Sequence, residues 1–439
     1  MKKLYWIETY GCQMNKAESN ALIQKMTEYG WEPADTPDQA ELVILNTCSV
    51  RATAESRVRG RIGYYKSLKK KHPHTLVLMG CMAERLKDTL KEEEPSIDLV
   101  VGTFQKEAFL HTVLDPCWES SSSEGLNLED QGSYRFASKH SLEGEFKAFV
   151  PIMHGCNNFC SYCIVPYVRG REISRSPEEI FQELTDLQQK GVQEIILLGQ
   201  NVNSYRYEGE GILLDFPGLL RRIVKEFPHI GWIRFLTSHP KDLSDEMIRC
   251  LEEIPQLCKH LHLPVQHGSS PILRRMNRKY TREEYLDLVE KIRNRIPEIS
   301  LTTDILIGFP GETEKDFLDT VNLLETVRFD DAFTYYYNPR EGTQAYEMED
   351  SVPRSVKLER LGKIIDLQKR IGKENKEQRI GHRVKVLVEE VSKIKNTELL
   401  ARTERDEMVV VPGPQEWIGK FRWVVLTELK GNTFLGKCV

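Results

Sequence analysis

The strongest constraint on the fold is a regular alternation of short apolar runs with amphipathic helical patterns between residues 147 and 375. Six runs have the composition of buried strands: KAFVPIMHG, EIILLGQN, WIRFLTSHP, KHLHLPVQ, SLTTDILIGFP and AFTYYYNPR. Helical patterns such as SPEEIFQELTDLQQKG separate them, and the unit recurs about every 35 to 40 residues. Six strand–helix units in series predict a partial (β/α)6 barrel, whose functional side chains follow the carboxyl ends of the strands.

Two further domains flank this region. Residues 1–116 also alternate apolar runs with helical patterns, which predicts a parallel α/β sheet. Residues 376–439 contain five short apolar runs, typical of a small all-β barrel similar to an OB-fold. The segment 117–146 includes the polar stretch ESSSSEGLNLEDQG, and we expect it to be a flexible linker between domains.

Composition narrows the class of protein. The net charge is -5, so a nucleic-acid contact would need a local basic patch. No apolar run is long enough for a membrane span or a signal peptide, and we therefore expect a cytoplasmic protein. In that compartment the ten cysteines are more often metal ligands, reactive thiols or buried residues than disulfides.

The stretch HGCNNFCSYCIVPYVRG places three cysteines, Cys156, Cys160 and Cys163, at the spacing C-x3-C-x2-C. Thiolates are soft ligands that suit iron–sulfur clusters, zinc or copper(I). A [4Fe–4S] cluster normally takes four cysteines, so three would leave one iron open to a ligand from outside the protein. A zinc site with His154 as the fourth ligand, and plain local packing of three thiols, are the alternatives.

A second group of three cysteines occurs in the first domain. Cys12 follows the run YWIETYG, Cys48 follows LVILNT, and Cys81 follows TLVLMG. Because the carboxyl ends of parallel strands share one edge of a sheet, the three thiols are expected to converge there as a second cluster site. The alternative is three buried core cysteines. The other four, Cys117, Cys250, Cys258 and Cys438, lack this setting.

These motifs together resemble those of a known family. The C-x3-C-x2-C motif after the first strand of a βα series is similar to the signature of the radical S-adenosylmethionine enzymes. With YGCQMN, LNTCSVR and GCMAER, the chain resembles the methylthiotransferases of that group over essentially its whole length. The resemblance implies two [4Fe–4S] clusters, with S-adenosylmethionine on the open iron held by Cys156, Cys160 and Cys163. It also implies an auxiliary cluster on Cys12, Cys48 and Cys81, and a C-terminal TRAM barrel that binds substrate.

Within that family, TYGCQMN and CNNFCSYC most resemble the bacterial enzymes that form 2-methylthio-N6-isopentenyladenosine at position 37 of tRNA. The resemblance implies that one S-adenosylmethionine methylates a sulfur of the auxiliary cluster. A second is cleaved to a 5'-deoxyadenosyl radical that takes the C2 hydrogen of adenine. The expected partners are a tRNA anticodon stem-loop and an external electron donor, and we expect a monomer. Alternatives are threonylcarbamoyladenosine in tRNA, a ribosomal-protein aspartate, and a non-catalytic RNA-binding iron–sulfur or zinc module.

The remaining candidate residues lie after the predicted strands, and each has an alternative role in a turn, a helix cap or loop packing. The residues expected to bind S-adenosylmethionine are Tyr162, Gln200, Asn201, Ser238, Gln266, Thr303 and Asp304. The residues expected to contact the substrate are Arg169, Arg171, Arg175, Arg340 and Thr343. The basic run containing Lys69, Lys70 and Lys71 either contacts an RNA backbone or lies on a solvated helix face.

Overall fold

The computed structural model describes residues 3–49, 52–87, 89–114, 134–209, 211–395 and 397–439. The chain forms two compact units. Unit 1 contains Met1–Asn157, Cys163–Glu183 and Leu198–Gln200, and unit 2 contains Asn158–Tyr162, Leu184–Leu197 and Asn201–Val439. Within the described ranges, no helix is both long enough and apolar enough to cross a bilayer.

The first part of unit 1 is a five-stranded parallel sheet, which confirms the α/β prediction. Its middle strands are almost wholly apolar because helices cover both faces. The strands are β1 (Lys3–Thr9), β2 (Trp31–Pro33), β3 (Leu42–Thr47), β4 (Thr75–Gly80) and β5 (Leu99–Val101), in the spatial order β2-β1-β3-β4-β5. The helices are α1 (Gln13–Glu28), α2 (Ala52–Lys69), α3 (Cys81–Leu86), α4 (Leu90–Glu93) and α5 (Lys106–Leu114).

The rest of unit 1 contains the first strand of the βα series and the segment that follows it. An antiparallel pair joins Met153 to Ser174 and His154 to Ile173, which brings the start of the C-x3-C-x2-C loop back beside its end. The elements are β6 (Lys147–Pro151), β7 (Met153–His154), α6 (Val165–Arg169), β8 (Ile173–Ser174) and α7 (Pro177–Gln189), whose residues from Leu184 onward are assigned to unit 2.

The predicted linker differs from expectation where the structure describes it. Residues 117–133, including Cys117, lie outside the described residues, but residues 134–146 pack within unit 1. The Tyr134 ring stacks on His154 with centroids 3.5 Å apart. The buried His140 donates its amide hydrogen to Glu183 over 2.7 Å. Contacts of the buried residues Tyr134 and His140 therefore hold residues 134–146 within unit 1. The polar composition of this segment does not predict such specific contacts.

Unit 2 contains the remaining strand–helix units. Strands β9 and β12 pair in parallel, as do β13, β14 and β15. The strands are β9 (Glu194–Leu198), whose last residue is assigned to unit 1, β12 (Trp232–Phe235), β13 (His260–His262), β14 (Ser300–Ile307) and β15 (Asp331–Tyr336). The helices are α8 (Phe216–Glu226), α9 (Asp245–Glu253), α10 (Ser270–Arg275), α11 (Arg282–Arg295), α12 (Glu314–Val327) and α13 (Arg354–Glu377).

Local sequence signals explain where these helices begin. Capping boxes start α11 and α12, formed by Thr281 with Glu284 and by Thr313 with Asp316. Ser244 caps α9 by accepting the amide of Met247. The short helix α10 and an antiparallel hairpin, β10 (Arg206–Gly209) with β11 (Ile212–Asp215), are additions that the strand–helix alternation did not predict.

The C-terminal region of unit 2 is a closed five-stranded barrel, as predicted. The strands are β16 (Arg383–Val391), β17 (Glu398–Thr403), β18 (Met408–Pro412), β19 (Phe421–Lys430) and β20 (Thr433–Cys438), in the closed order β16-β17-β18-β20-β19. Alternate residues point inward and fill the interior with Val, Leu and Phe side chains.

Arg234 of β12 fastens this barrel to the strand–helix region. Its buried guanidinium forms an ion pair with the buried Glu194. It also donates to the carbonyls of Thr403 over 2.6 Å and Glu404 over 2.9 Å. We expect Arg234→Ala to lower the free energy of unfolding by about 3–5 kcal/mol, because Glu194 would remain as an unpaired buried charge. The denaturant midpoint followed by circular dichroism measures this loss.

The matched control is Arg221→Ala, which removes an arginine from a surface ion pair with Glu246. Exposed pairs of this kind contribute about 1 kcal/mol or less. Equal losses for the two variants would show that Arg234 does not anchor the barrel.

Candidate metal centres and their surroundings

The sheet of unit 1 brings the ends of three cysteine-bearing strands side by side. Strands β1, β3 and β4 are direct neighbours, and Thr9 pairs with Asn46 while Thr47 pairs with Gly80. Cys48 directly follows Thr47, and Cys81 directly follows Gly80. Cys12 is the N-cap residue of helix α1, just beyond β1. The three thiols therefore leave the same edge of the sheet on adjacent strands.

Two glycines allow the backbone to approach closely at this edge. Gly11 has a φ of +118°, and a β-carbon added there would lie 2.4 Å from Cβ and 3.0 Å from Sγ of Cys48. Gly80 has a φ of +91°, and an added β-carbon would lie 2.6 Å from the carbonyl oxygen of Thr47. Glycine is required at both positions because of the left-handed backbone and the lack of space.

Hydrogen bonds connect two of the three thiols through Asn15 and Arg169. The Cys12 thiol donates to Asn15 Oδ1 over 3.5 Å, and Arg169 Nη2 donates to the same oxygen over 3.0 Å. Arg169 Nε lies 3.3 Å from the sulfur of Cys81. Arg169, expected to contact substrate, is thus only 3% exposed and lies beside the N-terminal thiols in unit 1.

The guanidinium of Arg169 forms a buried ion pair with Glu18 of α1. Their ion pair measures 2.9 Å, and Lys106 Nζ lies 2.7 Å from the other oxygen of Glu18. Burial opposes ionisation of Glu18, but the charges of Arg169 and Lys106 outweigh it and lower its pKa. Burial, reinforced by Arg169, lowers the pKa of His154 well below its usual value. His154 is therefore a neutral stacking partner of Tyr134.

Backbone amides of the C-x3-C-x2-C loop form hydrogen bonds within unit 1. The Cys156 amide donates to the carbonyl of Gly170 over 3.1 Å, and the Gly155 amide donates to Gln200 Oε1 over 2.5 Å. Gly155 has a φ of +81°, and a β-carbon there would lie 2.0 Å from the Arg171 carbonyl oxygen. Cys163 lies just before helix α6 and is half-buried.

The middle of the loop belongs to unit 2. Arg278 Nη1 lies 3.5 Å from the sulfur of the half-buried Cys160. The amide of Ser161 donates to the Met276 carbonyl over 3.0 Å. Asn277 donates to the carbonyl of Phe159 over 2.7 Å. Residues 276–278 therefore hold this part of the loop and place a guanidinium beside its sulfur.

The arrangement of the thiol donors determines which metal group they could hold. Across the described residues, no three His, Cys, Asp or Glu side chains are arranged to hold a single metal ion. In a [4Fe–4S] cluster each thiolate binds a different iron, so its ligands need not converge on one point. Each set of cysteines offers thiol donors, a closely approaching glycine backbone and an arginine beside one sulfur. These features fit an iron–sulfur cluster.

The expected S-adenosylmethionine contacts after β9 and β12 are hydrogen-bonded, and Asn201 and Ser238 are also buried. Gln200 accepts the Gly155 amide in unit 1. In unit 2, Asn201 donates to Asp242 over 2.7 Å, and its buried Oδ1 has no hydrogen-bond partner among the described residues. Ser238 donates to Asn203 over 3.3 Å. The Asn201 oxygen is the atom of this group best suited to accept from a bound ligand.

Of the three candidates after β13 and on β14, Gln266 and Thr303 form local hydrogen bonds with the backbone, whereas Asp304 has a partly exposed carboxylate. Gln266 has a left-handed φ of +73° and pairs through its backbone with Asp304 and Leu306. Thr303 is fully buried and bonds the backbone of Val265 and Leu263, so its hydroxyl stabilises a strand end. The carboxylate of Asp304 lies 3.5 Å from His262 and is partly exposed, which leaves it accessible to a ligand.

Other candidates lie where the structure shows packing contacts. In unit 2, Tyr162 packs edge-on against Phe309 with centroids 6.5 Å apart. The Thr343 hydroxyl donates to the carbonyl of the half-buried Arg340 over 2.7 Å. In unit 1, Arg171 is exposed. These placements do not test the proposed ligand contacts, which stay predictions.

Arg175 and the basic run of α2 also belong to unit 1. Arg175 is buried in an ion pair with Glu183 and donates to the carbonyl of Ala137 over 3.1 Å. Lys69 pairs with Asp98, whereas Lys70 and Lys71 are exposed. The Arg175 guanidinium is therefore engaged inside unit 1, and the two exposed lysines are the accessible charges of the run.

Sequence reasoning missed several residues that surround the thiols, above all Asn15, Glu18, Lys106 and Arg278. One signal was present on α1, where Asn15, Glu18 and Ser19 form a polar stripe at helical spacing. All three are buried. A polar stripe on the face of a helix that covers a sheet indicates buried partners of opposite polarity.

Three family models match the chain. They are the uncharacterized protein family UPF0004 at residues 4–102, the Radical SAM superfamily at 150–324, and the TRAM domain at 377–439. Among solved structures, the radical S-adenosylmethionine methyltransferase TsrM from Kitasatospora setae is similar with a TM-score of 0.56. At 15% identity over 76% of this chain and 75% of that one, the match shows the fold alone.

Curated relatives extend the match to the whole chain. A tRNA-2-methylthio-N(6)-dimethylallyladenosine synthase from Treponema denticola is 49% identical over 98% of both chains. Proteins with the same name from Bacteroides fragilis and Thermoanaerobacter sp. are 46% and 44% identical, covering 99% and 100% of this chain and 95% and 93% of theirs. Because this similarity spans all three domains, the chain belongs to the radical S-adenosylmethionine family of tRNA-2-methylthio-N(6)-dimethylallyladenosine synthases.

Proposed function

We propose that this enzyme adds a methylthio group to C2 of N6-isopentenyladenosine at position 37 of tRNA, with two [4Fe–4S] clusters and two S-adenosylmethionine molecules per turnover. The observation that carries the proposal is the position of Cys12, Cys48 and Cys81 at the ends of three adjacent strands. A radical S-adenosylmethionine enzyme needs only the Cys156 motif to form its radical. A second set of thiols in such a setting supports a second cluster.

The residues have separate roles in this proposal. Cys156, Cys160 and Cys163 would hold the cluster that binds S-adenosylmethionine, and Cys12, Cys48 and Cys81 would hold the auxiliary cluster. When bound, these groups supply one-electron chemistry and a sulfur atom for transfer. The Asn201 oxygen and the Asp304 carboxylate would orient the cosubstrate by accepting hydrogen bonds from its amino or hydroxyl groups.

Two measurements test the proposal. The anaerobically reconstituted protein should contain about eight iron and eight sulfide ions per chain. Nucleoside analysis of tRNA from cells lacking the gene should show loss of 2-methylthio-isopentenyladenosine and accumulation of isopentenyladenosine. About four iron ions per chain would contradict the second cluster, and unchanged nucleosides would contradict the tRNA substrate.

The TRAM barrel offers a surface suited to RNA. Trp423 of β19 is 47% exposed, and the guanidinium of Arg383 lies 4.8 Å from its ring centroid. Basic side chains outnumber acidic ones around the adjoining cavity, which is lined by Lys259, Glu298, Arg379, His382, Arg383, Val384, Lys385, Glu404, Arg405 and Trp423. Exposed aromatic rings among basic residues are typical platforms for stacking nucleic-acid bases.

We therefore expect Trp423→Ala to weaken tRNA binding by about 1–3 kcal/mol, the value of one base–aromatic stack. A filter-binding titration at fixed salt measures the change. The matched control is Tyr29→Ala, which removes another exposed ring beside a cation, Lys25, at the end of α1. Equal weakening by both substitutions would argue against a specific stack at Trp423.

A further inference from the structure

The proposed function assigns no role to the buried guanidinium of Arg169. Helix α6 begins two residues after Cys163 and ends at Arg169. The side chain then lies within unit 1 beside Asn15, Glu18 and Cys81. The same short stretch of chain therefore contributes a thiol to the C-x3-C-x2-C motif and a cation to the N-terminal thiols.

The charges around this guanidinium do not cancel among the residues themselves. Arg169 and Lys106 both pair with Glu18, so two cations share one carboxylate. Burying an unbalanced positive charge is costly unless an anion lies next to it. Among the described neighbours of Arg169, the other groups that can carry negative charge are the sulfurs of Cys12 and Cys81, and that of Cys81 lies 3.3 Å from Arg169 Nε.

We propose that Arg169 is a positioning residue that donates a charge-assisted hydrogen bond to the Cys81 sulfur and thereby raises the reduction potential of the auxiliary cluster. The inference rests on the proposed function, because it takes Cys81 to be a ligand of that cluster. Reduction adds one electron from the external donor and breaks no bond. Donors to ligand sulfurs stabilise the more negative reduced form, so hydrogen bonding and nearby charge set the potential of such clusters.

The test uses the full-length chain with Cys156, Cys160 and Cys163 replaced by alanine, so that only the auxiliary cluster contributes to the signal. In this background we compare the parent with E18Q/R169Q, which removes the guanidinium and its carboxylate together and leaves the net charge unchanged. The readout is the midpoint potential from a dithionite titration followed by electron paramagnetic resonance. The double variant should shift the reduction equilibrium at least tenfold toward the oxidised form, which is about 59 mV for one electron.

Two control variants distinguish the effect of the Arg169–Cys81 hydrogen bond on the potential from the effect of removing any buried ion pair. R175Q/E183Q removes another buried Arg–Glu pair of unit 1, and it should leave the equilibrium within about threefold of the parent. E18Q alone keeps the guanidinium and removes a negative charge, so its potential should rise. A fall of equal size in E18Q or in R175Q/E183Q would overturn the inference.

The remaining outcomes are also decisive. If the background protein binds about four iron ions but E18Q/R169Q keeps the parent potential, the inference fails and the proposed function stands. If the background protein binds no iron or sulfide, the auxiliary cluster and the inference fail together. If E18Q/R169Q does not fold, R169K replaces it. That variant keeps the charge but loses the Nε donor, and an unchanged potential would reject the hydrogen bond.

Discussion

Replacement of Cys12, Cys48 and Cys81 by alanine is expected to abolish methylthio transfer while leaving reductive cleavage of S-adenosylmethionine intact. The three thiols lie together at the edge of the N-terminal sheet, away in sequence from the C-x3-C-x2-C motif that would form the radical. Iron should fall from about eight to about four ions per chain. The assays are iron content, 5'-deoxyadenosine release and the methylthiolated nucleoside from tRNA.

The reciprocal substitution gives a contrasting result. Replacing Cys156, Cys160 and Cys163 should remove both 5'-deoxyadenosine release and methylthio transfer, again with about four iron ions retained. The matched control replaces Cys250 and Cys258, two buried thiols of unit 2, and should leave the iron content unchanged. Retention of methylthio transfer after loss of the N-terminal thiols would contradict the proposed role of the auxiliary cluster.

Substitution of Gly11 by alanine is expected to remove the proposed auxiliary cluster selectively. Its backbone has a φ of +118°, and the new methyl group would lie 2.4 Å from the β-carbon of Cys48. The left-handed backbone alone costs about 1–2 kcal/mol for a residue with a side chain. Relief of the clash would also move the Cys48 sulfur out of position. Iron content should fall toward about four ions per chain, with loss of methylthio transfer.

Gly30→Ala is the control for backbone strain. Gly30 lies in the same unit, has a φ of +79°, and has no neighbouring atom within 4 Å of an added β-carbon. It should lose about 1–2 kcal/mol of stability from the left-handed backbone and keep all of its iron. Equal iron loss in the two variants would mean that strain, rather than contact with Cys48, controls cluster binding.

The position of the three N-terminal cysteines at one edge of the sheet was predictable because it depends only on local patterns and one rule of topology. Apolar runs located β1, β3 and β4, and parallel strands put their carboxyl ends at the same edge. The spacing of these strands along the sequence does not predict that they are neighbours in the sheet. The order β2-β1-β3-β4-β5 places all three cysteine-bearing strands next to one another.

Arg169 shows where sequence reasoning stops. In VRGREISR it stands near two other arginines, and a local view treats the three alike as candidates for a phosphate or a base. The structure separates them, since Arg169 and Arg175 are buried in ion pairs while Arg171 is exposed. Their partners Glu18 and Glu183 lie 151 and 8 positions away in sequence. The spacing of residues within VRGREISR therefore carries no information on the contact between Arg169 and Glu18.

The sequence by itself determined the domain types and the two sets of three cysteines. These depend on side-chain periodicity and strand-end position, which are local properties. Only the tertiary structure decided which charges surround the thiols, that residues 134–146 pack rather than link, and how Arg234 fastens the C-terminal barrel. Each of those depends on residues distant in the chain, and a buried charge can persist only where folding brings its partner within a few ångströms.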